Sequence, residues 1–190
     1  TITMTDGCIV GSTGADGAAI NAKKATVKIT DQAIIAGNTA RGDGNGGALW
    51  VDNTQLTVAG DALIAGNRAG EEVFNDTTPG GMAQVRNGGG IYANASSTVT
   101  LADNAVLAGN TAQADGGAVY VQGRLRNNGS QAKSVLTVKD SALVTNNRSE
   151  NDKSAIHPSV RPDTNEGVNW KQLGGGGGGI FSMDETVIAG

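Results

Sequence analysis

The sequence predicts an all-β protein, a parallel β-helix (solenoid) with three short strands per coil of about 28–29 residues, and three observations predict it. A glycine-led block recurs as Gly46-Gly47-Ala48-Leu49-Trp50-Val51, Gly88-Gly89-Gly90-Ile91-Tyr92-Ala93, Gly116-Gly117-Ala118-Val119-Tyr120-Val121 and Gly177-Gly178-Gly179-Ile180-Phe181-Ser182. A weaker first copy begins at Gly17, and the steps from Gly17 to Gly46 and from Gly88 to Gly116 are 29 and 28 residues. Two further apolar blocks follow in a fixed order, so each unit reads as strands without a helix. Finally, Leu, Ile, Val and Phe number only 38 of 190 residues against 30 Gly. So little apolar bulk makes a core only if equivalent residues stack in register.

Each element has a local reason. The glycine block turns a corner and enters a strand. The second block, Val27-Lys28-Ile29, Leu56-Thr57-Val58, Val99-Thr100-Leu101 and Leu136-Thr137-Val138, shows the apolar-polar-apolar alternation of a half-buried strand, and Ile2-Thr3-Met4 opens the chain in the same style. The third block reads Ala33-Ile34-Ile35-Ala36-Gly37-Asn38, then recurs ending at Asn67, Asn110 and Asn147. One such unit cannot bury its own inner face. Coils stacked ~4.8 Å apart place equivalent residues above one another and build a continuous core. A propeller or sandwich would need hairpins, whereas these blocks succeed one another as one-way corners.

Extra length falls mainly at one corner, at 41–45, 70–87, 113–115 and 150–175, with a single insertion at 122–134 elsewhere. The core pattern persists on both sides, so these segments are expected to loop outward, where a rigid scaffold commonly carries binding residues. Near the end, Ile180-Phe181-Ser182-Met183-Asp184 runs into Val187-Ile188-Ala189-Gly190, which reads as a coil with one strand omitted. Residues 1–190 are thus expected to form a single β-helix fragment of a longer protein, with the rest of the same solenoid at both ends.

Composition excludes some partners. A net charge of −4 and a pI near 4.9 disfavour a nucleic-acid binder, which needs clustered Lys and Arg. No apolar run reaches the ~18 residues of a membrane-spanning helix. Cys8 has no second cysteine to pair with and is expected to fill a small buried slot.

Stacking turns each repeat position into a column. Asn38, Asn67, Asn110 and Asn147, with Thr13 in the opening coil, form the first. A neutral amide both donates and accepts, so stacked asparagines at a bend bond to the coils above and below. A second column is acidic: Asp6, Asp31, Asp103, Asp140 and Asp184, with Gly60 in the matching slot. Asp31, Asp103 and Asp140 are weak Ca²⁺ candidates, and the reading favoured is Asp capping a corner by accepting backbone N–H groups, with no cofactor. Asp16, Asn45, Asn87 and Asp115 directly precede the glycines and read as turn residues that tolerate positive φ.

Four of the six aromatics share one slot, Trp50, Tyr92, Tyr120 and Phe181, with Asn21 in the first coil. Either these rings or their aliphatic neighbours Ile20, Leu49, Ile91, Val119 and Ile180 face the core. The uniform aliphatics favour an outward aromatic stripe, which would stack on sugar rings or receive a protein. The alternative is a stacked column that is core or covered by insertions. Arg41-Gly42-Asp43 lies in a corner loop and matches the tripeptide read by integrins, a short match that glycine-rich chains produce readily. His157, in the longest insertion, has no acid or nucleophile pattern around it, and Arg86, Arg124, Arg126 and Lys133 fall within insertions where they would contact an acidic glycan or simply be solvated.

The pairing of Gly-Gly-Ala-aliphatic with Ile35-Ala36-Gly37-Asn38, Ile64-Ala65-Gly66-Asn67 and Leu107-Ala108-Gly109-Asn110 resembles the GGA(I/L/V) and FxxN repeats of the polymorphic membrane protein family. It is also similar to the passenger domains of autotransporter adhesins. The resemblance covers nearly the whole chain apart from the insertions. Ile or Leu replaces the family's Phe, with Val144 in the fourth copy, and no C-terminal barrel occurs among these residues. The resemblance implies a right-handed helix, extracellular display on a bacterial cell surface, and adhesion to a host surface glycan or extracellular protein. The expected function is a non-catalytic adhesin or stalk segment. Two other readings stand beside it: a polysaccharide lyase or glycoside hydrolase, which needs carboxylates facing a basic residue across a groove, and a phage or fibre structural element.

Overall fold

The computed structural model describes residues 1–42, 44–70, 86–125, 131–150 and 177–189. It is all-β, and its strands form four parallel sheets that run as the walls of a β-solenoid. A long sheet of six strands comprises Ile2–Met4, Thr26–Ile29, Gln55–Val58, Thr98–Leu101, Val135–Lys139 and Glu185–Ala189. A short sheet has Cys8–Val10, Ile34–Ala36, Leu63–Ala65, Val106–Ala108 and Leu143–Thr145. A two-residue sheet has Thr13–Gly14, Thr39–Ala40, Arg68–Ala69, Thr111–Ala112 and Arg148–Ser149. The aromatic sheet has Ile20–Lys23, Leu49–Asp52, Ile91–Asn94, Val119–Gln122 and Ile180–Ser182. Each strand pairs in parallel with its counterparts one coil away, so Leu63 lies between Ile34 and Val106.

Three of these walls correspond to the three predicted blocks. The fourth, the two-residue sheet after the asparagine, is an addition, because a pair such as Thr39-Ala40 is too short to show alternation. Its second residue nonetheless enters the interior, with Ala40, Ala69 and Ala112 fully buried.

The core holds one aliphatic column per inward position: Val27, Leu56, Val99 and Leu136 beside Ile29, Val58, Leu101 and Val138, facing Ile35, Ile64 and Leu107 and the aromatic sheet's Leu49, Ile91 and Val119. Full burial of each such side chain contributes about 1.5–3 kcal/mol. The glycine corners allow this close stacking. Gly17, Gly46, Gly88 and Gly116 all take positive φ, from 61° to 68°. At Gly47 and Gly89 a Cβ would run into the backbone of the next coil, at Gly89 and Gly117 respectively.

Three expectations change. Glu185–Ala189 pairs with Val135–Lys139, with Val187 opposite Thr137, so the last coil continues directly from the aromatic sheet into the long sheet and omits no strand there. Cys8 is exposed, because it occupies an outward position in register with Ile34. The insertion at 122–134 carries an antiparallel pair, Arg124–Leu125 with Gln131–Ala132.

Candidate functional site

Polar columns occupy the corners, and the asparagine column is a closed hydrogen-bond ladder. The amide Nδ2 of Asn38 donates to Asn67 Oδ1, Asn67 to Asn110 and Asn110 to Asn147, each at 2.9 Å. Each Oδ1 also accepts the backbone N–H of the preceding coil's asparagine, at 2.9–3.0 Å. The second amide hydrogen reaches a carbonyl of the preceding coil, as from Asn67 to Ile35 at 3.0 Å. Asn38, Asn67 and Asn110 are fully buried, so their hydrogen-bonding capacity goes to the scaffold. The opening coil supplies Ser12, whose N–H donates to Asn38 Oδ1 at 2.8 Å. Thr13 instead registers with Thr39.

A second ladder, unexpected from the repeats, runs along another corner. Thr54, Ser97 and Ser134, all buried, stack just before the long sheet. Ala25 N–H donates to Thr54 Oγ1 at 3.3 Å, Thr54 N–H to Ser97 Oγ at 3.3 Å, and Ser97 N–H to Ser134 Oγ at 3.2 Å. Ser134 N–H then donates to Asp184 Oδ2 at 2.8 Å. Asp184 thus ends this ladder and does not belong to the acidic column. The column of Asp16, Asn45 and Asn87 is a third ladder, running the other way: Asn45 N–H donates to Asp16 Oδ1, Asn87 N–H to Asn45 Oδ1 and Asp115 N–H to Asn87 Oδ1, at 2.8–2.9 Å. The left-handed residues here are the following glycines, and the side chains serve as acceptors.

The acidic column is a corner. Asp31, Asp103 and Asp140 have φ of 55°, 55° and 59°, and Gly60 in the same slot has 66°. Gly60 N–H donates to Asp103 Oδ2 at 3.0 Å and Asp103 N–H to Asp140 Oδ2 at 3.4 Å. Lys139 lies 3.1 Å from Asp140 and, as its side-chain hydrogen-bond partner, holds that carboxyl below its ordinary value. Among the described residues no group of three or more His, Cys, Asp or Glu side chains could hold a metal ion.

The aromatic residues lie on the outer face of their sheet, since Leu49, Ile91 and Val119 alternate with them into the core. They are nevertheless covered. Tyr92 is 9% exposed and Tyr120 6%, while Trp50 and Phe181 are half-buried. The Tyr92 and Tyr120 rings stack at 5.2 Å with 3° between planes, and Tyr120 and Phe181 at 5.2 Å with 8°. Each ring of the stack therefore lays a face on its neighbour. A sugar needs a ring face, and both faces of Tyr120 are taken by Tyr92 and Phe181. Tyr92 Oη donates to Gln122 Oε1 at 2.8 Å. Burial above all, then the charges of Asp16 and Asp52, pushes the Tyr92 phenol up to about 12. The Tyr120 phenol is also raised, by burial and then by Tyr92 and Asp115.

The insertion corner gathers the remaining candidates. Arg86, 4% exposed, donates from Nε to the Gly42 carbonyl and from Nη1 to Gln113 Oε1. One buried guanidinium thus ties the stems of three corner loops. Gly70 N–H donates to the Ala40 carbonyl and Glu150 N–H to Ala112, both at 2.9 Å, placing two more stems beside them. Arg68 grips Glu150 with both Nη atoms, at 3.2 and 2.6 Å, and this bond lowers the Glu150 carboxyl. Arg41 is exposed and Gly42 takes φ of 60°; Asp43, the third residue of the tripeptide, lies outside the described residues, as do Arg126, His157 and most of 70–87 and 150–175. Arg124 and Lys133 are exposed. No protein-family model, curated protein or solved structure matches the chain.

Proposed function

We propose that the chain is a non-catalytic segment of a bacterial surface adhesin or stalk, and that the loops leaving the Arg86 corner read a host glycan or extracellular protein. The observation that carries this reading is the gathering of loop stems at that corner: Arg86 binds Gly42 and Gln113, and Arg68 binds Glu150. A scaffold that spends buried, charged hydrogen bonds on holding loop bases gives those loops a fixed spacing, as multipoint recognition requires. The polar columns support the same division of labour, because their donors and acceptors are turned to neighbouring coils. Cell-surface display follows from the resemblance of the repeats.

The aromatic column takes a reduced role in this reading, since stacked rings leave only edges and the two ends. The test is a binding screen against host glycans and matrix proteins, comparing the intact chain with versions lacking 71–85 or 151–175, which keep Arg86, Asn87 and Glu150 at the stems. Loss of binding with an unchanged melting temperature supports the loop reading, and undiminished binding by both deletions rejects it. Trp50→Ala, tested alongside, is expected to retain most binding.

A further inference from the structure

One face of the solenoid departs from the pattern of its neighbours. The outward column of the long sheet holds Lys28, Thr57, Thr100 and Thr137, and that of the two-residue sheet Thr39, Arg68, Thr111 and Arg148. Solvent-facing positions in these columns are therefore polar, apart from Val187 at the end of the long sheet's column. In the short sheet the middle residue of each strand enters the core, and Ile35, Ile64 and Leu107 are at most 1% exposed. Both flanking columns then point outward, and they are apolar up to the last strand: Cys8, Ile34, Leu63, Val106 and Leu143 in one, and Val10, Ala36, Ala65 and Ala108 in the other, which ends at Thr145. Ile34 is 39% exposed and Leu143 50%, and in the first coil Val10 is 60% exposed. Five strands ~4.8 Å apart and three residues wide make a flat strip of roughly 20 Å by 10 Å.

The two borders of the strip differ in charge. On the side that precedes the strands stand Asp31, Asp61, Asp103 and Asp140, all exposed, the last of them paired with Lys139. On the side that follows them stand the exposed Arg148 and Arg68, whose guanidinium is already held by Glu150.

We propose that this strip is a self-association face on which a second copy of the chain packs in parallel, about a twofold axis running along the solenoid. A twofold contact uses the same patch on both copies. With the axis along the solenoid, each aspartate border meets the partner's border of Thr39, Arg68, Thr111 and Arg148, which carries no aspartate and adds the exposed Arg148. The antiparallel alternative sets aspartate against aspartate, and like charges in an interface disfavour it. The strip is small beside the ~800 Å² per partner of a standard stable interface, so the pair formed by two such chains is weak, and its footprint lengthens with every added coil.

Sedimentation equilibrium of the 190-residue chain from micromolar to millimolar concentration is expected to show a reversible dimer. Leu63→Lys and Val106→Lys point outward, so each should leave the melting temperature near its starting value while weakening the dimer about tenfold or more. Orientation is read without any substitution. In the parallel pair the two exposed Cys8 residues stand at the same height, roughly 12 Å apart for sheets packed at the usual spacing, and a short bismaleimide should join them. A chain that stays monomeric at millimolar concentration, or a dimer indifferent to both lysines, overturns the face. A dimer that the Cys8 reagent does not join overturns the parallel arrangement.

Discussion

Two polar columns run along the solenoid, asparagines at one corner and aspartates at another, and they are held in opposite ways. Asn67 is buried and engaged on every side: its oxygen accepts from Asn38 twice, and its amide donates to Asn110 and to the Ile35 carbonyl. Asp103 is exposed, accepts one N–H from Gly60, and occupies a left-handed turn that Gly60 fills without any side chain. Equal regularity in sequence therefore hides unequal energies. A column that saturates buried groups carries the fold, while one that only needs positive φ is set by the backbone.

The largest expected effect breaks the first column. Asn67→Leu removes the acceptor of the Asn38 N–H and leaves buried polar groups unsatisfied, each costing ~1–3 kcal/mol. A loss of roughly 2–5 kcal/mol is expected in urea denaturation. Next is the aromatic stack: Tyr120→Ala deletes two ring contacts and a covered side chain and should cost about 2–4 kcal/mol, whereas Tyr120→Phe keeps both rings stacked and should cost under ~1.5 kcal/mol. If Tyr120→Ala instead left stability unchanged while weakening glycan binding, the stack would be a recognition surface after all. Ser97→Ala, in the hydroxyl ladder, belongs between these, at about 1–3 kcal/mol.

What the sequence could tell follows the same division. The aliphatic columns and the asparagine ladder were legible because bulky or unusual residues recur at one slot. The hydroxyl ladder was not, although Thr54, Ser97, Ser134 and Asp184 all stand two residues before an inward position of the long sheet. Its residue types vary, the first coil has Ala25, and Ser and Thr are common in any turn. Aligning Asp184 with Ser134 would have put the last strand in the long sheet. The aromatic stripe was legible in direction only, since outward placement follows from alternation, whereas coverage depends on ring planes that repeat spacing does not specify. Cys8 was misplaced for a related reason: the short sheet carries apolar residues on both faces, so apolar character there does not report burial.

Titration separates two further contributions by sign. The Tyr92 phenol is raised to about 12, against ~10 in an unfolded chain. Its contribution is fully present below pH ~10 and is lost as pH rises toward the folded value. Stability should therefore fall through that alkaline window, and Tyr92→Phe should flatten the fall. The Glu150 carboxyl is lowered by Arg68, so its contribution is present above the unfolded value of ~4.3 and is lost as pH drops through the folded one. Arg68→Gln should remove that acid sensitivity, and an unaltered acid limb would show that the pair at the loop stems is not coupled to folding.

The smallest effect sharpens the comparison most, because it asks the acidic corner whether it needs acids at all. Asp103→Gly loses one exposed hydrogen bond, at most about 0.5–1 kcal/mol, and relieves the left-handed backbone at φ of 55°. Asp103→Ala loses the same bond and keeps the strain, which for a Cβ-bearing residue is ~1–2 kcal/mol. The glycine variant is thus expected to be the more stable of the two in urea denaturation, and millimolar Ca²⁺ should move the melting temperature of neither variant nor of the parent. A parent that gains stability with Ca²⁺, and loses that gain in Asp103→Gly, would turn the corner into a cation site and erase the contrast between the columns. With Gly60 already in the slot, the backbone requirement is the simpler cause, and the ranking of Gly above Ala is the measurement that decides it.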